Sequence, residues 1–250
     1  MDGILLVDKP LGLSSFQVCH LIRKKFGVKR VGHGGTLDPE ATGLLVILLG
    51  KATRLFDSLL AVEKEYEGTI VLGESRDTQD SAGEVVEKKE TEEVILLATP
   101  DRIEAVRLSF LGEQVQEAPI HSALKHKGKP LYYYARKGIA VEPKKRTVTF
   151  YSIEIGVVEP ALLRFKAAVS KGTYLRALAN DFGVRLGTLG YLGSLRRTRS
   201  GDFRIGETRS LDDILKFSEE DLKKILIVPP PPEGAPSVMT RPSYLAGEDR

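Results

Sequence analysis

The chain has little cysteine, no tryptophan and no long apolar run, and these absences exclude several classes of protein. Its 250 residues include one cysteine, Cys19, so no disulfide can form within the chain and a cytoplasmic location is expected. The apolar runs Ile4–Val7 and Leu44–Leu49 are far shorter than the ~20 residues that span a bilayer. The first residues include Asp2 and do not form a signal or transit peptide. We therefore expect a cytoplasmic protein with no membrane contact.

The common motifs of metal, nucleotide and acyl-transfer chemistry are also missing. The segment Gly43 to Lys51 has too many residues between its glycines for a phosphate-binding loop, and Gly32-His33-Gly34 lacks the third glycine of a dinucleotide site. The four histidines show no metal-ligand spacing, and one cysteine cannot complete a thiolate site. A G-x-S-x-G nucleophile motif is absent. The sequence therefore predicts an activity that uses no metal and no cofactor.

The charge is close to balanced in total but unevenly distributed. A net charge of +3 is too small to indicate a nucleic-acid partner by itself. Together, the basic runs could form a surface for a phosphate backbone, although each run alone is better explained as a solvated helix face or loop. These runs are Arg23-Lys24-Lys25, Lys29-Arg30, Lys125 to Lys129, Lys144-Lys145-Arg146 and Arg196-Arg197-Arg199.

Hydrophobic periodicity and turn residues predict an α+β fold. Strands unevenly interspersed with helices, without a regular βαβ repeat, favour a central mixed, mostly antiparallel sheet flanked by helices. The predicted strands are Ile4–Val7, Leu44–Leu49, Tyr66–Leu72, Pro119–His126, Thr147–Ile155 and Leu163–Val169. The predicted helices are Ser14–Phe26, Ala52–Leu60, Thr99–Phe110, a short tyrosine-rich helix near Tyr133, Thr173–Leu186, Leu211–Phe217 and Glu219–Ile225.

The glycine-rich loop Gly32–Gly43 carries the one carboxylate that we single out as a catalytic candidate. Asp38 precedes Pro39, and a residue before proline is kept out of helical geometry. Its carboxylate can therefore project from a rigid turn. The same Asp-Pro pair also commonly opens an ordinary turn, so these features alone leave both interpretations open.

Several segments in the same order resemble the TruB-type bacterial tRNA pseudouridine-55 synthases. The loop GHGGTLDPEATGLL, residues 32–45, resembles the catalytic loop of that family. The opening segment GILLVDKPLGLSS, residues 3–15, resembles its first motif. Lys64-Glu65-Tyr66 resembles its tyrosine motif, and Asp77-Thr78-Gln79-Asp80 resembles the polar loop that follows. Residues 170–176 (SKGTYLR) resemble its arginine motif, and residues 193–197 (GSLRR) resemble its leucine motif.

The resemblance implies a catalytic set and a reaction. It implies the pseudouridine synthase fold, with Asp38 as the carboxylate that lets the glycosidic bond of a uridine break before the uracil rejoins the ribose through C5. Attack on the sugar, attack on the base and a glycal route all remain open. Arg176 would form an ion pair with Asp38 and keep it ionised. Tyr66 would pack on the target base and help to move the C5 proton.

The resemblance also implies a set of residues that bind the RNA or support the site. A uridine in folded RNA has to be flipped out of its stack to reach a protein carboxylate. His33 would stack in the RNA near the flipped nucleotide, and Leu195 would form an apolar wall of the uracil pocket. Lys9, with Pro10 beside it, would lie under the active site as support. Tyr174 and Asp80 belong to the same binding set by their positions in the matching motifs.

Residues 118–146 resemble the insertion that closes over RNA in that family. Basic residues and tyrosines alternate there, which suits phosphate contact and base stacking. Lys125, Lys144 and Arg146 are the candidate RNA contacts. Burial of a tyrosine-rich helix on its own sheet is the competing interpretation for the tyrosines.

The expected organisation is one catalytic domain, residues 1–228, followed by a proline-rich tail, residues 229–250. About forty residues follow Ser210, which is too few for the C-terminal PUA domain that bacterial members usually carry. The resemblance implies a monomer whose partner is tRNA, through the T-arm stem-loop. Three alternatives remain. They are a pseudouridine synthase that acts on another RNA, an RNA-binding or tRNA-folding chaperone and, last in rank, an aspartate hydrolase that does not act on RNA.

Overall fold

The molecule is represented by a computed structural model, which describes residues 1–120, 125–126, 128–135, 137, 139, 141 and 144–228, with the backbone alone at 125, 126, 130, 132 and 135. Its strands in chain order are β1 (Gly3–Lys9), β2 (Val31–His33), β3 (Ala41–Leu49), β4 (Lys64–Leu72), β5 (Glu74–Arg76), β6 (Val85–Lys88), β7 (Gly112–Glu117), β8 (Lys125–His126), β9 (Lys129–Pro130), β10 (Lys145–Glu159), β11 (Leu162–Val169), β12 (Gly190–Ser200), β13 (Phe203–Arg204) and β14 (Arg209–Ser210).

The helices alternate irregularly with these strands, as the sequence predicted. They are α1 (Ser15–Phe26), α2 (Phe56–Ala61), α3 (Thr91–Leu97), α4 (Pro100–Ser109), α5 (Leu131–Ala135), α6 (Leu175–Leu186), α7 (Leu211–Lys216) and α8 (Glu219–Ile225). In the described part of the chain, no helix is long and apolar enough to cross a membrane.

The chain divides into two compact units. The first contains Met1–Lys64 and the chain from Arg196, and its sheet has the strand order β14-β1-β3-β12, with β2 on β3 and β13 on β12. Strands β1 and β3 are antiparallel, and their register places Gly3 opposite Leu49 and Lys9 opposite Gly43. Both strands are almost entirely buried, which explains their unbroken apolar sequences. The short strand β14 pairs with β1 in parallel.

Helix α1 of the first unit begins and ends at the residues that the sequence predicted. The Ser14 hydroxyl oxygen accepts a hydrogen bond from the Gln17 backbone N–H, and the Gln17 side-chain oxygen accepts one from the Ser14 backbone N–H, which completes a capping box. Gly27 ends the helix in the left-handed conformation. Val18, Ile22 and Phe26 form the buried face.

In the second unit, Glu65–Leu195, the strands lie in the order β12-β4-β11-β10-β7, which continues the same hydrogen-bonded sheet. Strand β10 pairs antiparallel with both β11 and β7. Helices α4 and α6 cover this sheet through an aromatic cluster. The Phe110 ring lies 5.8 Å from Phe150 and 5.9 Å from Phe182, and all three rings are buried. Aromatic pairs at these separations add to the free energy of burial.

The predicted mixed, mostly antiparallel sheet architecture is confirmed, but several predicted elements are wrong in place or type. The segment predicted as a helix at Ala52–Leu60 begins as a 3₁₀ turn over Gly50–Leu55 and becomes α-helical only in α2. A strand was predicted at Pro119–His126, but of its described residues only Lys125–His126 form a strand, β8, and the preceding strand β7 ends at Glu117. Part of that predicted strand, and the proline-rich tail, lie outside the described residues. Strands β6 and β12 and helix α3 were not predicted, because β6 and α3 are short and β12 does not alternate regularly between apolar and polar residues.

Gly43 in the first unit is a position where a larger residue is expected to destabilise the fold, because it combines a positive φ with close packing. Its φ is +98°, and a Cβ there would lie 2.4 Å from the Arg197 carbonyl oxygen. Gly43→Ala is expected to lower the free energy of unfolding by more than about 4 kcal/mol. Gly12→Ala is the control, since Gly12 has a φ of +85° and open space around it, and should cost only about 1 to 2 kcal/mol. Chemical denaturation measures both free energies of unfolding. An equal decrease in the two variants would contradict the argument that close packing at Gly43 excludes a Cβ.

Candidate active site

Asp38 lies in the turn that connects β2 to β3. The Ala41 amide donates to the Asp38 carbonyl oxygen at 3.0 Å, which closes the turn. Leu37 before it is buried, Asp38 is half-buried and Pro39 after it is exposed. The Gly12 amide donates to the Pro39 carbonyl oxygen at 2.9 Å, so the turn is also tied to the loop after β1. The Asp38 carboxylate therefore projects from an anchored backbone.

Ser15, at the start of α1, holds the residue immediately before Asp38. Its buried hydroxyl accepts a hydrogen bond from the Leu37 amide at 2.8 Å and donates one to the Leu37 carbonyl oxygen at 3.0 Å. Both backbone groups of a buried peptide are thereby satisfied by one side chain. The position of Leu37 thus depends on the N-terminus of α1.

Lys9, at the end of β1, holds the residue immediately after Asp38. Its buried ammonium group donates to the carbonyl oxygens of Leu13 at 2.5 Å, Pro10 at 2.9 Å and Pro39 at 3.4 Å. Burial lowers the pKa of Lys9 to about 8, and attraction to the carboxylates of Asp38 and Glu40 opposes that shift. Lys9 is therefore a buried cation at neutral pH, and it supports the loop as the sequence predicted.

Arg197, on β12, is the second buried cation under this loop. Its guanidinium donates to the carbonyl oxygens of Leu44 at 2.7 Å, Gly35 at 3.2 Å and Thr36 at 3.4 Å. The side chain is 1% exposed, so the interpretation of this residue as part of a phosphate-binding surface is wrong. A planar guanidinium can reach several carbonyl groups at once, which is why an arginine can hold both ends of the loop.

The two neighbouring arginines of the same basic run form ion pairs within the first unit. The Arg196 guanidinium lies 2.7 Å from the Asp8 carboxylate, with both side chains about one-third exposed. Arg199 pairs with Glu63. These charges are compensated locally, so the run at 196–199 does not act as an uncompensated basic surface.

His33 ends β2 and leads into the loop that carries Asp38. Burial lowers the pKa of its imidazole, and the nearby Arg197 cation lowers it further. The ring is therefore neutral at neutral pH. A neutral aromatic ring of this kind suits stacking in RNA, which is the role that the resemblance implied.

In the second unit, Arg176 and Asp80 form a buried ion pair. The Arg176 Nε atom lies 3.5 Å from the Asp80 Oδ2 atom, and the side chains are 6% and 9% exposed. Arg176 also donates to the Thr78 carbonyl oxygen at 3.0 Å. The Asp80 carboxylate accepts from the Thr78 hydroxyl at 2.6 Å and from the Ala82 amide at 3.1 Å. Asp80 therefore orients Arg176.

Tyr174 precedes α6 and is held by a side chain that sequence reasoning missed. The Gln116 amide group accepts from the Tyr174 amide at 2.8 Å and donates to the Tyr174 carbonyl oxygen at 3.0 Å. Arg146 lies 5.3 Å from the centre of the Tyr174 ring and donates to the Gly172 carbonyl oxygen at 2.9 Å. Arg146 thus supports the start of α6, and its predicted RNA contact stays a prediction.

The remaining predicted residues also lie in the second unit. Tyr66 is a buried residue of β4, and Leu195 is a half-buried residue of β12. Lys144 is exposed. The side chain of Lys125 lies outside the described residues, as does part of the predicted insertion.

The structure brings Lys9, His33 and Asp38 together in the first unit and places the other predicted catalytic residues in the second. The ion pair predicted between Asp38 and Arg176 joins residues of different units and stays a prediction. Ser15, Arg197 and Gln116 were missed, because nothing in their sequence spacing indicates which backbone groups they reach. Among the described residues, no three histidine, cysteine, aspartate or glutamate side chains are grouped to hold a metal ion.

Comparisons with known proteins identify relatives over most of the chain. Residues 23–175 match the N-terminal domain model of the TruB family of pseudouridylate synthases. The tRNA pseudouridine synthase B of Opitutus terrae is 41% identical over 239 residues, which cover 96% of this chain and 97% of that protein. The corresponding protein of Syntrophotalea carbinolica is 42% identical over 227 residues, which cover 91% of this chain and 73% of that protein.

Solved structures show the same fold. A Cbf5-Nop10-Gar1 complex matches with a TM-score of 0.66 at 32% identity, over 86% of this chain and 54% of that chain. An H/ACA ribonucleoprotein bound to a substrate RNA containing 2′-deoxyuridine matches with a TM-score of 0.64 at 29% identity, over 86% of this chain and 53% of that chain. This chain therefore spans about half the length of those proteins. The predicted pseudouridine synthase fold is confirmed.

Arg197→Lys is expected to loosen the loop around Asp38. A single ammonium group cannot reach all the carbonyl oxygens that the guanidinium holds, and an unsatisfied buried acceptor costs about 1 to 3 kcal/mol. Amide exchange at Gly34 and Leu37 should become about tenfold faster or more. Arg196→Lys is the control, because its half-exposed pair with Asp8 can be kept. Unchanged exchange in Arg197→Lys would show that the loop is held without this side chain.

Asp80→Asn is expected to lower the free energy of unfolding by about 3 kcal/mol, because it leaves the Arg176 cation buried without its carboxylate partner. Asp77→Asn in the same loop keeps the hydrogen bond that the exposed Asp77 accepts from the Glu84 amide and should cost less than about 0.5 kcal/mol. Chemical denaturation measures both. A similar decrease in the free energy of unfolding for both variants would mean that the charge of Asp80 does not stabilise the fold through Arg176.

Proposed function

Because the chain belongs to the TruB family of pseudouridylate synthases, we propose that it isomerises a uridine in the T arm of tRNA, at position 55, to pseudouridine. The observation that carries this proposal is the 41% identity to a tRNA pseudouridine synthase B over 97% of that protein's length. The structure supports the proposal because hydrogen bonds anchor the backbone on both sides of Asp38, so its carboxylate projects from a fixed position. The protein is proposed to act as a cytoplasmic monomer.

Asp38 is proposed to act as the catalytic carboxylate. The reaction breaks the bond between N1 of uracil and C1′ of ribose, forms a bond from C5 to C1′, and transfers the equivalent of the C5 proton to N1. Substrate and product are isomers, so the reaction needs no co-substrate. An ionised carboxylate can stabilise the cationic sugar or bond to it, and it can also attack the base. Each route requires Asp38 to be charged and fixed in position.

The hydrogen bonds around Asp38 support this role through preorganisation. Ser15 holds the backbone before Asp38, and Lys9 holds the backbone after it. A reacting group that is already in position avoids the entropic cost of ordering it in the transition state.

Arg176 and Tyr66 are proposed to complete the catalytic set. The Arg176 guanidinium, oriented by Asp80, would pair with Asp38, and Tyr66 would pack on the target base and help to move the C5 proton. His33 and Leu195 would contact the RNA and the uracil, while Tyr174, Lys125, Lys144 and Arg146 would serve the RNA-binding surface.

A pseudouridine synthase for another RNA is the second candidate. One observation favours it, namely the likeness to an H/ACA ribonucleoprotein solved with a substrate RNA. The two candidates share the chemistry at Asp38 and differ only in the RNA. They are therefore separated by the substrate that is converted.

Asp38→Asn is expected to fold normally and to reduce pseudouridine formation by about 10⁴-fold or more, because the side chain keeps its shape but loses its charge. The assay incubates each protein with an unmodified T-arm stem-loop RNA, without added metal or nucleotide, and maps pseudouridine by chemical labelling. Asp212→Asn, at an exposed position on α7, is the control and should retain wild-type activity.

The outcomes distinguish the two candidates. Conversion of one loop uridine by the wild type and the control, but not by Asp38→Asn, supports the T-arm proposal and the catalytic role together. Conversion of another RNA but not the T-arm RNA would favour the second candidate. Appreciable turnover by Asp38→Asn would remove this carboxylate from the mechanism.

A further inference from the structure

A small pocket lies beside the catalytic loop in the first unit. Its volume is about 190 Å³, and it is lined by residues from α1, β2 and α2. His33 contributes to its wall, and the chain runs from His33 directly into the loop that carries Asp38. His33 is therefore common to the pocket wall and to the segment that leads to Asp38, although no step of the proposed reaction uses the pocket.

Two exposed phenylalanines border this pocket. Phe16 on α1 is 72% exposed and Phe56 on α2 is 41% exposed. Single exposed apolar residues are ordinary on a protein surface, but two aromatic rings at one concave site mark a binding surface. Every nucleobase has a flat π-face that can stack on such a ring. The volume also suits a single planar base better than a larger group.

Cationic and polar groups accompany Phe16 on helix α1. His20 and Arg23 follow Phe16 at intervals of four and three residues, so all three lie on one face of α1. Each is exposed, and each lines the pocket. The Arg23 guanidinium donates to the Val31 carbonyl oxygen at 3.4 Å, which places its charge at the pocket. The first turn of α1 has no acidic residue, and its last turn is basic.

We propose that this pocket binds the base of a nucleotide next to the target uridine, stacked against Phe16 and Phe56, with Arg23 contacting the adjoining phosphate. This inference rests on the proposed function, because it takes RNA as the substrate. The neighbouring nucleotide is the occupant that the site favours. It is covalently joined to the uridine at Asp38, it has the required flat face, and its phosphate matches the charge of α1.

The test compares Phe16→Ala with wild type on a set of T-arm stem-loop RNAs. One RNA is intact, and each of the others has an abasic residue at one position flanking the target uridine. Direct binding gives Kd and single-turnover pseudouridine mapping gives the rate. Phe16→Tyr keeps an aromatic face. Tyr151→Ala removes an exposed aromatic residue of β10 in the second unit and is the matched control.

Phe16→Ala is expected to raise Kd for the intact RNA about tenfold, the scale of one base–aromatic stack. Phe16→Tyr and Tyr151→Ala should bind the intact RNA as the wild type does. On one of the abasic RNAs, Phe16→Ala and wild type should bind equally, because the base that Phe16 contacts is missing. That position identifies the bound nucleotide, and Phe56→Ala should lose its effect on the same RNA.

An unchanged Kd for Phe16→Ala, or a loss that persists on every abasic RNA, would overturn the proposal. A protein partner as the occupant would give the first of these results. If the wild type binds the RNA but forms no pseudouridine, the proposed function fails, while the comparison of Kd values still decides whether the pocket holds a base. The two proposals are thus judged by different measurements.

Discussion

The hydrogen bonds from two buried cations to backbone carbonyl oxygens are the interaction on which the loop that carries Asp38 depends. Lys9 joins the Pro39 carbonyl oxygen, after Asp38, to those of Pro10 and Leu13, and Arg197 holds the carbonyl oxygens of Gly35 and Thr36 before Asp38. Moving a charge out of water is costly unless polar partners replace the solvent. Here the loop supplies those partners, so the cations and the loop are each stable only in the presence of the other.

The strand register of the first unit explains how these groups meet. Lys9 lies opposite Gly43 in the β1–β3 pair, so the end of β1 reaches the turn that precedes β3. Gly43 has no side chain, and the backbone at Arg197 on β12 occupies the space where a Cβ would lie. The loop is therefore anchored to the strands that form the core of this unit, and its rigidity follows from the same packing that stabilises the sheet.

The same unit shows why charge in a sequence is a poor guide to RNA contact. The run Arg196-Arg197-Arg199 reads as a basic surface, yet one arginine is buried under the catalytic loop and the others pair with acids. By contrast, Arg23 lies on an exposed helix face beside two exposed rings. Whether a cation serves the interior or a ligand depends on the partners that the fold places around it.

Local patterns in the sequence determined much of the fold. The apolar runs of β1 and β3, the capping residues Ser14 and Gly27 of α1, and the proline that begins α4 act within a few residues of the chain. Each structural consequence could therefore be predicted without the tertiary structure. The loop carrying Asp38 was identified because its motif is contiguous.

Only the tertiary structure decided which distant residues support that loop. Ser15 reaches Leu37, Gln116 reaches Tyr174, and Arg197 reaches Gly35. Phe16 and Phe56 likewise border one pocket only because α1 and α2 meet beside β2. A side chain's partner across the fold depends on strand order and register, which set distances between residues far apart in the chain. Composition and spacing carry no information about those distances, and for that reason the sequence pointed to Asp38 and Lys9 but not to Ser15 and Arg197, which also hold the loop.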